Sequence, residues 1–85
     1  MLSRGEIKFL IELYENNGKL TFKEQKTFTC RNWFYQSMRR LKDKSFIETE
    51  FIELNIEKGL NLSNRRIKIY LLTYKGLKLV KLLTD

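Results

Sequence analysis

Hydrophobic positions recur along this chain with two different periods, and the changes of period mark its elements. Over residues 3–16, Ile7, Leu10, Ile11 and Tyr14 follow the i, i+3, i+4, i+7 spacing of a helix face. Phe9 and Leu13 fall beside that stripe as a second, narrower apolar face. Ser3 with Glu6 has the spacing of a capping box, and Asn16-Asn17-Gly18 reads as the stop, with Gly18 supplying a left-handed residue. Lys19-Leu20-Thr21 is a short extended piece. Thr21 and Glu24 have capping-box spacing again, which predicts a brief second helix over 22–28 anchored by Phe22 and Phe28. Thr29 then caps a third helix, about 30–44, whose inward face is Cys30, Phe34, Met38 and Leu41. Cys30 is expected to be a small buried residue, and Trp33 to sit at the border of the core.

From Phe46 the period changes to two. Ile52, Leu54 and Ile56 alternate with Glu53, Asn55 and Glu57, and a break of phase near Phe51-Ile52 suggests a bulge. Residues 58–64 carry turn chemistry. Ile67, Ile69 and Leu71 then line a second strand running from Arg65 to Leu72, so the pair reads as a β-hairpin. Thr73 caps a last helix, about 74–83. Tyr74, Leu77 and Val80 form one of its stripes; Leu79, Leu82 and Leu83 form another. Helices and a hairpin together predict an α+β fold. Eighty-five residues are enough for one domain, 1–85, with a single small core.

Charge adds the functional signal. The net charge of +7 is unevenly placed: −1 over residues 1–18, +6 over 19–45, −4 over 46–57 and +6 over 58–85. Two basic blocks flanking an acidic one suggest two contact points on one polyanion. On the third helix, Asn32, Tyr35, Gln36, Arg39 and Arg40 point away from the apolar face, and Arg31 stands on its border. Amide and guanidinium groups in that array suit base edges and phosphates. The hairpin carries Lys58, Arg65, Arg66 and Lys68, but Glu48, Glu50, Glu53 and Glu57 on its first strand are able to neutralise them.

Composition removes other classes. There is no His, one Cys and no Pro, so the commonest general base and any intrachain disulfide are absent. No phosphate-binding glycine loop or zinc spacing occurs, so neither a catalytic residue, a metal nor a cofactor is expected. No apolar run reaches the roughly 18–20 residues of a membrane span. Glu6 and Glu12 interrupt any signal-like N-terminal pattern, which leaves an intracellular, cytoplasmic protein as the expectation. The absence of Ala and Pro with abundant Lys, Ile and Asn fits an A+T-rich genome, such as that of a virus or plasmid.

Two local patterns carry a resemblance. Met38-Arg39-Arg40-Leu41-Lys42-Asp43-Lys44-Ser45-Phe46-Ile47-Glu48 is similar to the segment in which a recognition helix ends and enters the first wing strand of winged helix-turn-helix proteins. Tyr70-Leu71-Leu72-Thr73-Tyr74-Lys75-Gly76 resembles the Tyr-x-Leu-Thr-x-x-Gly signature that leads from the second wing strand into the next helix in MarR-like and PadR-like regulators. Ser45 stands where that family usually has Gly. The resemblance implies a minimal single-domain form with a three-helix core, a β-hairpin wing and a C-terminal helix. It implies a sequence-specific transcription regulator on double-stranded DNA. The 30–44 helix would then enter the major groove through Arg31, Asn32, Tyr35, Gln36 and Arg39. Lys58, Asn64, Arg65 and Arg66 of the wing would reach the adjacent minor groove or backbone, and Lys19, Lys23 and Lys26 would touch phosphate. A homodimer would use the second apolar faces, Phe9 and Leu13 with Leu79, Leu82 and Leu83. The long flanking helices of larger members are missing, so no small-molecule effector pocket is expected. The competing class is a winged-helix module for protein–protein or RNA binding.

Overall fold

The first helix buries the face that its charge disguises. In a computed structural model, which describes residues 2–58 and 61–84 but not the side chains of 54–65, α1 spans Arg4–Glu15. Glu6, Phe9, Leu10 and Leu13 form its buried side. This corrects the expected phase: Phe9 and Leu13 are fully buried core residues and offer nothing to a dimer, whereas Tyr14 is 43 % exposed. The glutamate explains the misreading, because it occupies the first position of the buried stripe. Ser3 Oγ accepts the Glu6 N–H at 3.2 Å, but the Glu6 carboxylate does not reach back to Ser3. It faces Arg40 instead, 3.5 Å away on the next helix. The helix ends as its sequence requires: Asn17 and Gly18 take left-handed φ values of 61° and 81°, and the Gly18 N–H returns to the Leu13 carbonyl at 2.7 Å.

After β1 (Lys19–Thr21) the expected second helix is absent. Its capping box does form, with Thr21 N–H and Oγ1 donating to Glu24 Oε1 and Glu24 N–H donating to Thr21 Oγ1. It closes one turn only. Beyond it the backbone donors are taken by side chains: Glu12 accepts Lys26 N–H at 2.7 Å, Thr27 N–H at 3.3 Å and the Thr27 hydroxyl at 2.5 Å. The Gln25 amide brackets Phe28 from both sides, donating to its carbonyl at 2.7 Å and accepting its N–H at 2.8 Å. With their backbone partners already supplied, these residues gain little by propagating a helix. Phe22 and Phe28 still pack on the core, as anchors of a structured loop.

The second helix, α2, is Arg31–Asp43, and Cys30 is its N-cap. The cysteine is exposed rather than buried, and Thr29 is not the cap. Phe34 fixes this helix. It is fully buried and meets Phe9, Phe22, Phe28 and Tyr70 at ring-centroid distances of 4.9–6.0 Å. At the other end Ser45 holds φ 65°, with Ser45 N–H donating to Lys42 and Phe46 N–H to Leu41 in a Schellman closure. That geometry is the reason a glycine would suit position 45.

β2 (Ile47–Lys58) and β3 (Asn61–Leu72) form a long antiparallel hairpin, and β1 adds to its far side in the order β1-β3-β2. The register is unbroken from Ile47↔Leu72 to Lys58↔Asn61, so there is no bulge at Phe51-Ile52. Both residues are exposed there, because the hairpin has left the body and neither face is packed. The expected turn over 58–64 is also shorter: residues 61–64 belong to the strand, and Gly59 and Leu60 lie outside the described residues. The protrusion makes the molecule 52 Å long against 24 and 21 Å in the other directions.

The last helix, α3, spans Tyr74–Thr84 and is capped by Thr73, whose Oγ1 accepts the Gly76 N–H at 3.0 Å and donates to the Ser45 carbonyl at 2.6 Å. Gly76 is required by close approach. A Cβ there would collide with the Phe46 carbonyl oxygen and come within 2.8 Å of Leu72 Cδ1. Val80 is fully buried and Leu79 partly so, while Leu82 and Leu83 are exposed. Among the described residues the fold is therefore α+β, with three helices rather than four and one three-stranded sheet. None of these helices is long and apolar enough to cross a membrane.

Candidate nucleic-acid interface

Because Phe34, Ser37, Met38 and Leu41 face inward, α2 presents the rest of its circumference to solvent. Arg31, Asn32, Tyr35, Gln36 and Arg39 are all exposed, as the sequence led one to expect. At 100° per residue, Asn32, Gln36 and Arg39 form the crest, and Arg31 and Tyr35 form the flank that looks toward the hairpin. Trp33 lies on the other flank and is 69 % exposed, against its expected place at the core border. Asp43 also reaches the crest, but in the last turn, about 10 Å along the axis from Gln36. The N-terminal half of the crest is free of acid.

The hairpin completes a cleft on that flank. Lys23 from the turn after β1, Arg31 and Tyr35 from α2, and Arg66, Lys68 and Tyr70 from β3 surround a space of about 380 Å³. Four of its walls are cations and none is an acid. The aromatic groups order the cations. Phe22 stacks with Tyr35 at 6.2 Å and 19°, and the Arg31 guanidinium lies 4.9 Å from the Phe22 ring centre. Arg66 sits 4.9 Å from the Phe51 ring, and Lys68 5.4 Å from the Tyr70 ring. Such contacts hold long basic side chains over apolar surface while leaving their charges to solvent. The helix N-terminus adds to the positive potential: Cys30 makes no side-chain cap and the first turn carries no acid. Burial, and then the nearby Tyr35, push the Tyr70 phenol up to about 12, so at neutral pH it remains a neutral donor in the cleft wall.

Strand register decides how far the glutamates cancel this charge. Opposite residues of an antiparallel pair share a face. Glu53 pairs with Arg66 and its carboxylate is 3.8 Å from the Arg66 Nε, both groups being well exposed. Glu48 pairs with Leu71 and Glu50 with Ile69, on the opposite face of the sheet from Arg66 and Lys68. The expected general neutralisation thus reduces, among the described side chains, to one solvent-screened pair.

The sequence-based site is brought together only in part. Lys23 enters the cleft. Lys19 does not, since it pairs with Leu71 and lies on the outer face of the sheet. Lys26 is exposed on the loop tethered by Glu12. The side chains of Lys58, Asn64 and Arg65 lie outside those described; their backbone pairs with Asn61, Asn55 and Leu54. Lys68 and Tyr70 were missed as site residues. The alternation of Arg66, Lys68 and Tyr70 along one strand face was the signal that would have found them. Compared with known families and curated proteins, the chain matches no family model and no curated sequence.

Proposed function

We propose that the chain is a winged helix-turn-helix protein that binds double-stranded DNA as a transcription regulator, with the middle helix of that fold reduced to one capped turn and a tethered loop. The observation that carries the reading is the acid-free cleft in which α2 and the hairpin bring Lys23, Arg31, Arg66 and Lys68 to one side of the molecule. In this reading the crest of α2 enters the major groove. Asn32 and Gln36 present amides able to pair bidentately with adenine, and Arg39 presents a guanidinium that suits guanine. The four cleft cations take the backbone on the hairpin side, positioning the helix without reading sequence. Tyr35 is held by Phe22 at the junction of the two contacts.

The test is equilibrium binding to duplexes selected from a random pool, followed by single base-pair substitutions in the selected site. Gln36→Ala should erase discrimination at one base pair, a loss of about 1–3 kcal/mol, while leaving affinity for random duplex unchanged. Absence of duplex binding near 50 mM salt, where phosphate contacts are strong, overturns the proposal.

A further inference from the structure

The helices and the core occupy the face of the sheet that carries Leu20, Tyr70 and Ile47. The opposite face is bare and patterned. Its first row is Lys19–Leu71–Glu48, read across β1, β3 and β2; its second is Thr21–Ile69–Glu50; its third joins Ile67 to Ile52. Lys19, Glu48 and Glu50 are exposed, Ile52 is 45 % exposed, and Ile67, Ile69 and Leu71 are half-buried without belonging to the core. An apolar ridge along β3 therefore runs between an edge whose outward charge is Lys19, with the Glu24 carboxylate beside Thr21, and an acidic edge of Glu48 and Glu50.

We propose that this face is a homodimer interface, occupied by a second copy of the chain related by a two-fold axis along β3. The charge pattern argues for that occupant. Rotation about an axis parallel to β3 exchanges the β1 and β2 columns while leaving each row in place. Leu71, Ile69 and Ile67 each meet their own copy, Lys19 meets the partner's Glu48, and Thr21 meets the partner's Glu50. Packed sheets lie about 10 Å apart with nearly aligned strands, a gap that a lysine and a glutamate span together. The described rows run from Leu71 to Ile67, about 14 Å along β3, and are three strands wide only beside β1, so the contact is small and its association weak and reversible. The same geometry puts the two basic clefts on opposite outer sides of the dimer. If the DNA reading holds, the dimer carries two duplex segments rather than two half-sites on one side of one duplex.

Sedimentation equilibrium of the whole chain without DNA tests the interface separately from DNA binding. The wild type should dimerise reversibly at tens to hundreds of micromolar. Lys19→Glu and Glu48→Lys should each weaken the dimer about tenfold or more, because two symmetric pairs turn from attraction to repulsion. Mixing the two variants should restore association as a heterodimer, since every facing pair is then opposite in sign, and the double variant K19E/E48K should self-associate again. That recovery distinguishes lost contact from lost folding. A wild type that remains monomeric overturns the proposal. So do single variants that dimerise like the wild type while Leu82→Glu does not, an outcome that moves the interface to α3.

Discussion

Removal of Arg66 and Lys68 together tests whether the hairpin and α2 act on one backbone. Both residues lie on the described part of β3 and line the cleft with Lys23 and Arg31. If each of the four cations neutralises one phosphate, the logarithm of the binding constant falls with the logarithm of salt at a slope of about −3.6, from about −0.9 per phosphate on B-DNA. Between 50 and 200 mM salt that slope costs about 150-fold in affinity. R66A/K68A should reduce the slope to about −1.8 and the loss over the same range to about 12-fold, equally for specific and random duplexes. Fluorescence anisotropy with a labelled random duplex measures both. Glu53 supplies an internal control, because its carboxylate lies 3.8 Å from Arg66 Nε. The pair is exposed and worth at most about 1 kcal/mol, so Glu53→Gln should tighten binding by up to about fivefold. A double variant whose salt slope equals that of the wild type would show that the cleft does not touch phosphate, whatever its charge.

Other outcomes follow from the packing. Gly76→Ala drives a methyl into the Phe46 carbonyl and should cost about 3 kcal/mol, seen as a fall of ~12–24 °C in Tm. Ser45→Gly relieves a left-handed residue at φ 65° and should raise stability by about 1 kcal/mol, or ~4–8 °C. Glu12→Ala leaves the Lys26 and Thr27 donors without their carboxylate and should cost about 2–3 kcal/mol, with loss of hydrogen-exchange protection at those two amides first. For Tyr70 the folded pKa of about 12 lies above the usual 10, so the fold favours the protonated phenol. Its contribution is complete below pH 10 and lost as pH rises through about 12, up to about 3 kcal/mol, and denaturant titrations of Tyr70→Phe should lack that component.

What the sequence disclosed was local. The cap at Thr73, the turn at Asn17-Gly18, the inward Phe34, Met38 and Leu41, and the paired strands each depend on residues within a turn or a hairpin of one another. What it concealed depended on distant partners. Glu6 sits in the buried stripe of α1 because Arg40 reaches it from α2. The capping box at Thr21 nucleates no helix because Glu12, from the preceding helix, takes the Lys26 and Thr27 donors. Cys30 looked like a core residue on helical periodicity, but it stands just outside the helix, where that periodicity has no meaning.

The charge of the cleft was hidden for a different reason, because it is a question of parity. With a turn expected over 58–64, the pairing of the strands was undefined, and so was the face on which each glutamate lay. In the observed register Glu48 and Glu50 share the outer face with Ile69 and Leu71, and of the described glutamates of β2 only Glu53 faces Arg66. A slip of β2 by one residue would take Glu53 off the face that carries Arg66 and Lys68 and turn Glu48 and Glu50 onto it. The same slip would expel Ile47, which is 1 % exposed, and bring Glu48 into the core in its place. Burying that carboxylate without a partner costs several kcal/mol, far more than any exposed ion pair on the hairpin returns. The apolar contact at the foot of the hairpin therefore fixes the register of the strands above it: Ile47, which touches no ligand in the proposed mechanism, decides which glutamates share a face with Arg66 and Lys68.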